Sequence, residues 1–167
     1  MKTLYLLRHA KSSWKHDLGD HKRPLKGRGK RDAMLVSEHI KVKTSAPQKM
    51  IVSDATRAQM TARYFKEAWN IKDKNYILNH DLYDFSGQQV MEVIKSIDNS
   101  LDCVMIVGHN HAFTSIVNML GDNYTDNLPT CGFVEIEFSI DDWNNANYGI
   151  TKQMVFPRDL KPKKPKK

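Results

Sequence analysis

The sequence has little of what marks membrane or secreted proteins. It has no apolar run near the ~20 residues that a membrane-spanning helix needs, so we expect no membrane anchor. The apolar start ends at Arg8 without a small-residue cleavage site, which argues against a signal peptide. The only cysteines, Cys103 and Cys131, have no metal-ligand spacing and favour two buried thiols over a disulfide. These absences predict a cytoplasmic protein.

The composition is that of an ordinary globular protein, with 40% hydrophobic and 27% charged residues. A chain of 167 residues fits one domain. Five of the seven net positive charges belong to the last seven residues, which also hold Pro162 and Pro165. We therefore predict a domain over 1–160 and a basic, disordered tail over 161–167. No aromatic residue interrupts the lysines to stack on bases, so a nucleic-acid partner is not expected.

The apolar pattern predicts an α/β fold. Apolar runs without alternation, typical of strands covered on both faces of a parallel sheet, occupy 3–7, 49–53 and 102–107. Helical periodicity predicts helices over 29–41, 56–69, 87–97 and 112–120. Residues 133–140 alternate with period two, which indicates a more exposed strand, and a strand around 149–156 could pair with it. Strands that alternate with helices define the α/β class.

Polar residues follow each of the three buried strands at the point where the strand ends. Arg8 and His9 follow the first strand, 53–57 follow the second, and Gly108 with His109 follow the third. In open α/β sheets, ligands bind beyond the carboxyl ends of the strands. We therefore expect these cationic and nucleophilic groups to meet at one edge of the sheet.

These residue types suit phosphoryl transfer, which depends on positioning and on positive charge around the phosphoryl oxygens. Arg8 and Arg57 would each offer a planar fork of donors, and His109, if protonated, a third positive donor. His9 would be the neutral nucleophile, with its other ring nitrogen bound to a backbone carbonyl. Because His9 would stand among cations, we expect its pKa to be depressed.

Three motifs resemble those of the histidine phosphatase superfamily. The segment LLRHAKSSW resembles the RHG signature of that superfamily, with Ala10 in place of glycine. The segment SDATRAQMTA around Arg57 resembles the second arginine segment of the superfamily, and VGHNHAF around His109 resembles its second histidine segment. The short SixA-like phosphohistidine phosphatases resemble this chain further, in HKRPLKGRG, LPTCGFVEIEF and FPRDLKP. The resemblance runs in the correct order from about residue 3 to residue 160.

The resemblance implies a three-layer sandwich whose central sheet is mostly parallel, with helices on both faces. It implies that His9 is transiently phosphorylated and that water hydrolyses the intermediate. We expect no metal or organic cofactor, since positive side chains would do the work of a metal. The residues that would contact the phosphate or the substrate are Arg8, Arg57, His109, Ser12 and Arg23. Lys15 departs from the pattern, because many members have asparagine at that position.

Asp84, in the segment HDLYDFSG, is the best-aligned candidate for a general acid, and Asp81 is the second. A helix- or turn-capping role is the alternative for Asp84. An imidazole leaves more readily than an alkoxide, so a weak or absent acid would favour P–N bonds. The expected substrate is a phosphohistidine protein; a small phosphoester, or noncatalytic binding of phosphate or nucleic acid, are the alternatives.

The other histidines show no spacing typical of a metal site; they are His16, His21, His39, His80 and His111. Gly108 has two interpretations, a plain turn residue or a position where the missing Cβ lets a phosphate approach.

Overall fold

The structure is a computed structural model that describes residues 1–15 and 17–162. Within these residues the chain forms six strands: β1 (Lys2–Arg8), β2 (Lys49–Val52), β3 (Tyr76–Leu78), β4 (Cys103–Gly108), β5 (Phe133–Phe138) and β6 (Ile150–Val155). It also forms five α-helices: α1 (Gly27–Lys43), α2 (Thr56–Ala68), α3 (Gln88–Lys95), α4 (Ala112–Leu120) and α5 (Pro157–Leu160). Each predicted strand and helix is present with slightly different ends, and the α/β class is confirmed. The expectations for His16 and for the last five residues of the tail fall outside the described residues.

The strands form one mixed sheet in the order β3-β2-β4-β1-β5-β6. Strands β1 to β4 run parallel, and β5 pairs antiparallel with both β1 and β6. The mostly parallel sheet and the pairing of the last two strands are therefore confirmed. The sequence analysis missed β3, which has three residues and stands at the sheet edge. Its Ile77 and Leu78 are exposed, so no buried apolar run indicated this strand.

The sheet separates two apolar clusters because successive side chains of a strand point to opposite faces. One face of β1 packs Leu4 and Leu6 with residues of α3 and α4, such as Ile94 and Phe113. The opposite face packs Tyr5, Leu7, Met105 and Val107 with residues of α1 and α2, among them Ile40 and Phe65. The expected three layers are therefore confirmed.

The start of α1 lies tightly against the segment that follows β1. A Cβ at Gly29 would lie 2.1 Å from the carbonyl oxygen of Lys11, so only glycine allows this approach. The amide of Lys26 donates to the same carbonyl at 3.1 Å. These contacts hold residues 11–13 beside the end of β1, where the predicted site begins.

Among the described residues, no helix is long and apolar enough to cross a membrane. Cys103 and Cys131 are both free thiols. After α5, Lys161 Nζ lies 2.8 Å from a carboxylate oxygen of the buried Asp32 of α1.

Candidate active site

A cavity of about 260 Å³ opens at the carboxyl edge of the parallel strands. Its lining comes from several separate segments: Arg8, His9, Lys11, Ser12, Trp14, Asp20, Arg23, Arg57, Phe85, Asn110 and Thr130. Directly behind this lining, the His109 ring centroid lies 5.2 Å from that of His9. The structure thus brings six of the seven predicted site residues together, and Asp84 is the exception.

His9 is held in one tautomer by a backbone carbonyl. Its Nδ1 lies 2.8 Å from the carbonyl oxygen of Ala10, an acceptor, so Nδ1 carries the hydrogen. Nε2 is therefore unprotonated, and it accepts a long hydrogen bond of 3.4 Å from Nε of Arg57. Burial, assisted by nearby His109, Arg57 and Arg8, holds the His9 pKa well below its ordinary value despite the Ala10 contact. His9 therefore has the form of a neutral nucleophile.

His109 is fully buried and is also neutral in this site. Burial above all, and then the charge of Arg57, lowers its pKa to about 3. The sequence analysis made the positive charge of His109 conditional on its protonation, and this environment disfavours a third positive charge. Nε2 lies 2.8 Å from Oγ of Ser53, while Nδ1 has no hydrogen-bond partner among residues 1–15 and 17–162. A buried, unpartnered Nδ1 is suited to a ligand.

Arg57 begins the first turn of α2 and is almost completely buried. Its Nη1 donates to the backbone carbonyl of Asp20 at 2.7 Å, and its Nη2 lies 3.0 Å from Oδ2 of the same residue. Burial of Asp20 opposes ionisation, but hydrogen bonds from Tyr83 and Arg57 outweigh it and lower the Asp20 pKa to about 2. The sequence analysis missed Asp20 and Tyr83, since neither lies in a motif at a strand end.

Arg8 is held at one end of its guanidinium group. Nη1 donates to the carbonyl oxygen of Leu128 at 2.8 Å, and Nε is buried with no partner in the described part of the chain. Burial and the nearby Arg57 lower the Arg8 pKa, which shows that two cations stand close together here. An anion between them would relieve this repulsion.

Arg23 and Ser12 form one wall of the cavity. Arg23 Nη1 donates to Ser12 Oγ at 2.6 Å, and Nε and Nη2 contact Oδ1 of Asp20 at 3.2 and 3.1 Å. The Arg23 guanidinium carbon lies 3.5 Å from the ring centroid of Trp14, a cation–π contact. Both predicted contact residues therefore reach the cavity, as part of a network that the motifs did not reveal.

Asp84 does not line the cavity. Its carboxylate lies at the start of α3 and accepts hydrogen bonds from the amides of Ser86, Gly87, Gln89 and Val90, at 3.0 to 3.1 Å. These bonds outweigh burial and lower its pKa, whereas a general acid needs a raised pKa. The contacts fit the capping alternative and speak against the acid. Asp81 is exposed and does not line the cavity either.

Gly108 packs closely against α4. A Cβ at this position would lie 2.7 Å from ring atoms of Phe113 and 3.3 Å from the carbonyl oxygen of Leu82. The first contact is too short for any other residue, so glycine lets α4 pack against the end of β4. This packing in turn positions the next residue, His109.

Three side chains beside the cavity could hold a metal ion. His21 Nε2 lies 2.8 Å from Oδ1 of Asp54, and His80 Nδ1 lies 2.9 Å from Oδ2. One potential ligand atom from each residue falls within 4.8 Å of the others. The residues come from three segments distant in sequence, so their spacing gave no indication of the cluster. In the structure, both imidazoles bind the carboxylate directly.

Comparisons with known proteins relate this chain to others by sequence and by fold. An uncharacterised chloroplast protein of Arabidopsis thaliana is 28% identical over 152 residues, which cover 86% of this chain and 69% of that protein. The protein histidine phosphatase SixA, solved with tungstate, superposes with a TM-score of 0.80 at 17% identity, covering 95% of this chain and 99% of SixA. A mycobacterial glucosyl-3-phosphoglycerate phosphatase superposes at 0.68 with 11% identity, covering 92% and 98%. At these identities the two structures show a shared fold.

The family itself is shown by the sequence model of the histidine phosphatase superfamily (branch 1), which matches residues 4–87. That match covers half of the chain and includes the ends of β1 and β2, where Arg8, His9 and Arg57 stand. The chain belongs to the histidine phosphatase superfamily.

Proposed function

We propose that this phosphatase is a phosphohistidine phosphatase that acts on phosphorylated proteins, with His9 as the nucleophile. The observation that carries the proposal is the state of His9: a buried, neutral imidazole whose Nδ1 is bound to a carbonyl while Nε2 faces Arg57. The roles of the neighbouring residues follow from their contacts.

In the first step, His9 Nε2 attacks phosphorus and the P–N bond of the substrate breaks. Arg8 Nε and Arg57 donate to the phosphoryl oxygens, and the charge that develops on these oxygens strengthens both contacts. His109 donates from Nδ1, because the Ser53 hydroxyl occupies Nε2. The Ser53 Oγ accepts from the amide of Ala55 at 3.3 Å, and we assign its hydroxyl as the donor to His109 Nε2, 2.8 Å away.

Attack converts the His9 ring to a phosphorylated imidazolium, because Nδ1 keeps its hydrogen. The Ala10 carbonyl stabilises that positive ring through the 2.8 Å contact. In the second step, water attacks phosphorus, the bond to Nε2 breaks, and His9 leaves as a neutral imidazole with Nδ1–H unchanged. Inorganic phosphate departs, and the nucleophile returns to its starting form without an external proton donor.

The site favours an imidazole leaving group over an alkoxide. Among the described residues that line the cavity, Asp20 has the only carboxyl group, and its pKa of about 2 keeps it ionised. An alkoxide needs a proton as it leaves, and an ionised Asp20 has none to give. An imidazole of phosphohistidine leaves as a neutral ring when its second nitrogen is protonated. The state of His9 supports its role as the nucleophile, and the lack of a protonated carboxyl group in this lining favours a P–N bond over a phosphoester as its target.

Arg57 also explains how the site behaves before substrate binds. Both terminal nitrogens of Arg57 contact Asp20 in the ligand-free site. A phosphoryl group at His9 Nε2 must share Arg57 with Asp20, whose carboxylate is also held by Arg23 and Tyr83. We assign Asp20 the role of a positioning residue that keeps the buried Arg57 charge compensated between turnovers.

The test is a rate comparison between a phosphohistidine peptide and an alkyl phosphate monoester under identical conditions. We expect cleavage of the P–N bond to be faster by at least about a hundredfold, since a missing general acid costs that factor on alkoxides. Asp84→Asn should leave both rates within about twofold, because its carboxylate caps α3. EDTA should change neither rate. Equal rates on both substrates, combined with a large loss on esters in Asp84→Asn, would sink the proposal.

A further inference from the structure

A second, larger groove adjoins the catalytic cavity. It has a volume of about 820 Å³ and lies between the segment after β1 and the start of α1. Lys11, Ser12 and Trp14 line both spaces, so the two are continuous along this segment. Whatever binds in the groove therefore lies beside a phosphoryl group bound at His9.

The groove is strongly cationic. Five of its lining residues carry a positive charge, and among the described residues that line it there is no acid; the five are Lys11, Lys15, Lys26, Arg28 and Arg31. Of these five cations, only Arg28 has a carboxylate within 4.0 Å in the described part of the chain, that of Asp32 at 3.7 Å. The first turn of α1 has no acidic residue either, so the positive end of that helix adds to the field. Such a concentration of uncompensated charge attracts an anionic partner.

The size of the catalytic cavity shows where the rest of a substrate must lie. At about 260 Å³, that cavity is smaller than the usual site for a small organic ligand. It accommodates a phosphoryl group and the ring that carries it, and the remainder of the substrate extends over the surface. On the Trp14 side, this surface is the cationic groove.

We infer that the groove binds an acidic polypeptide segment next to the phosphohistidine of the protein substrate, an inference that rests on the proposed function. Three of the five cations are lysines, whose flexible point charges adapt to irregularly spaced carboxylates. A nucleic-acid site would offer several aromatic rings for successive bases. This groove has the single ring of Trp14, and one face of that ring is covered by Arg23.

The kinetic test uses two phosphohistidine peptides of equal length, one with Asp and Glu beside the phosphohistidine and one with Asn and Gln in their place. We expect the acidic peptide to have a KM lower by about tenfold, with equal kcat, at low salt. The double variant Lys26→Glu/Arg31→Glu should remove this difference. Its turnover of phosphoramidate, which is too small to reach the groove, should stay within about twofold.

The matched control is Lys41→Glu/Lys43→Glu, which changes the net charge equally at the exposed opposite end of α1. We expect the control to keep the preference for the acidic peptide. If both double variants lose it equally, net charge alone explains the effect and the groove has no role. Equal KM values for the two peptides on the unaltered protein would also overturn the inference.

A binding measurement separates this inference from the proposed function. Fluorescence anisotropy of a labelled, unphosphorylated acidic peptide needs no turnover, so it tests the groove even if phosphohistidine is not cleaved. We expect Lys26→Glu/Arg31→Glu to weaken binding by about tenfold and the control variant to change it less than twofold. Unchanged binding in the groove variant contradicts the inference. If a single-stranded oligonucleotide of equal charge binds more tightly than the peptide, and Lys26→Glu/Arg31→Glu loses that binding, the groove is a nucleic-acid site and the peptide inference is wrong.

Discussion

His9 and His109 stand at the carboxyl ends of the neighbouring strands β1 and β4. A different nitrogen of the imidazole ring is held by a hydrogen bond in each of these two histidines. At the end of β1, the Ala10 carbonyl binds Nδ1 and leaves Nε2 as an acceptor, contacted only by Arg57 Nε at 3.4 Å among the described residues. At the end of β4, the Ser53 hydroxyl binds Nε2, and Nδ1 has no partner within the described residues. In the proposed mechanism, the partner of the second nitrogen therefore separates the histidine that attacks from the histidine that donates.

The two histidines share one property, a lowered pKa caused first by burial. Neither imidazole therefore supplies positive charge to the ligand-free site. That charge comes from Arg8 and Arg57, which stay ionised because a guanidinium does not lose its proton in proteins. The positive charge of the site therefore comes from the two arginines, whereas the two neutral imidazole rings take part through hydrogen bonds.

The largest expected effect comes from removing the attacking ring. His9→Ala should lower turnover of a phosphohistidine peptide by at least about a thousandfold, because no other group can accept the phosphoryl group. It should also leave no trapped phosphoenzyme after rapid alkaline quenching with radiolabelled substrate. The control is His39→Ala, on α1 outside the cavity lining, which should keep full activity.

His109→Ala should lower the rate by about a hundredfold, the usual cost of one donor to a transition-state oxygen. Because His9 Nε2 is intact, the phosphoenzyme should still form in this variant, at a reduced rate. Quench-flow measurement of phosphoenzyme separates the two histidines. A phosphoenzyme that persists in His9→Ala and disappears in His109→Ala would reverse the assignment of attacker and donor.

Ser53→Ala tests the hydrogen bond that selects the His109 tautomer. Without the hydroxyl, Nε2 and Nδ1 compete for the single hydrogen, so we expect kcat/KM to fall by about tenfold while His9 remains unaffected. Ser37→Ala, a buried serine on α1 whose hydroxyl binds the carbonyl of Met34, is the matched control. An unchanged kcat/KM in Ser53→Ala would show that Ser53 does not orient His109.

The pH dependence of stability tests the neutral state of His109 without any substrate. The folded chain keeps His109 neutral down to about pH 3, whereas an unfolded histidine binds a proton below its ordinary pKa of 6.5. The unfolded state therefore binds more protons, and stability falls as the pH decreases below 6.5. His109→Gln should reduce the loss in free energy of unfolding between pH 7 and pH 5 by about 2 kcal/mol, measured by urea denaturation. An equal loss in both proteins would show that His109 is protonated in the folded state.

Much of the fold could be predicted because local pattern and burial coincide in a parallel sheet. The runs at 3–7 and 102–107 are buried on both faces, so their apolar residues are continuous in sequence. Strand β3 escaped because it is short and half-exposed at the sheet edge. The predicted site residues at strand ends met in space because parallel strands present their carboxyl ends at one edge.

Asp84 shows what sequence reasoning leaves open. Its position after a strand and before a helix suits both an acid and a cap, and only the hydrogen bonds from the amides of α3 separate the two roles. Asp20 shows the converse. It lies in a loop without pattern, yet its carboxylate contacts both Arg57 and Arg23 because the loop folds across the cavity.

The amino-acid sequence is sufficient to predict the order of strands and helices, the residues at the strand ends and membership of the superfamily, since these depend on neighbours along the chain. Folding creates the tautomer of His9, the lowered pKa of His109, the pairing of Arg57 with Asp20 and the cationic groove beside the cavity. These properties depend on burial and on distances between segments far apart in sequence, which set the pKa values, hydrogen bonds and charge density. Contacts such as Ser53 with His109 exist only once the sheet has formed.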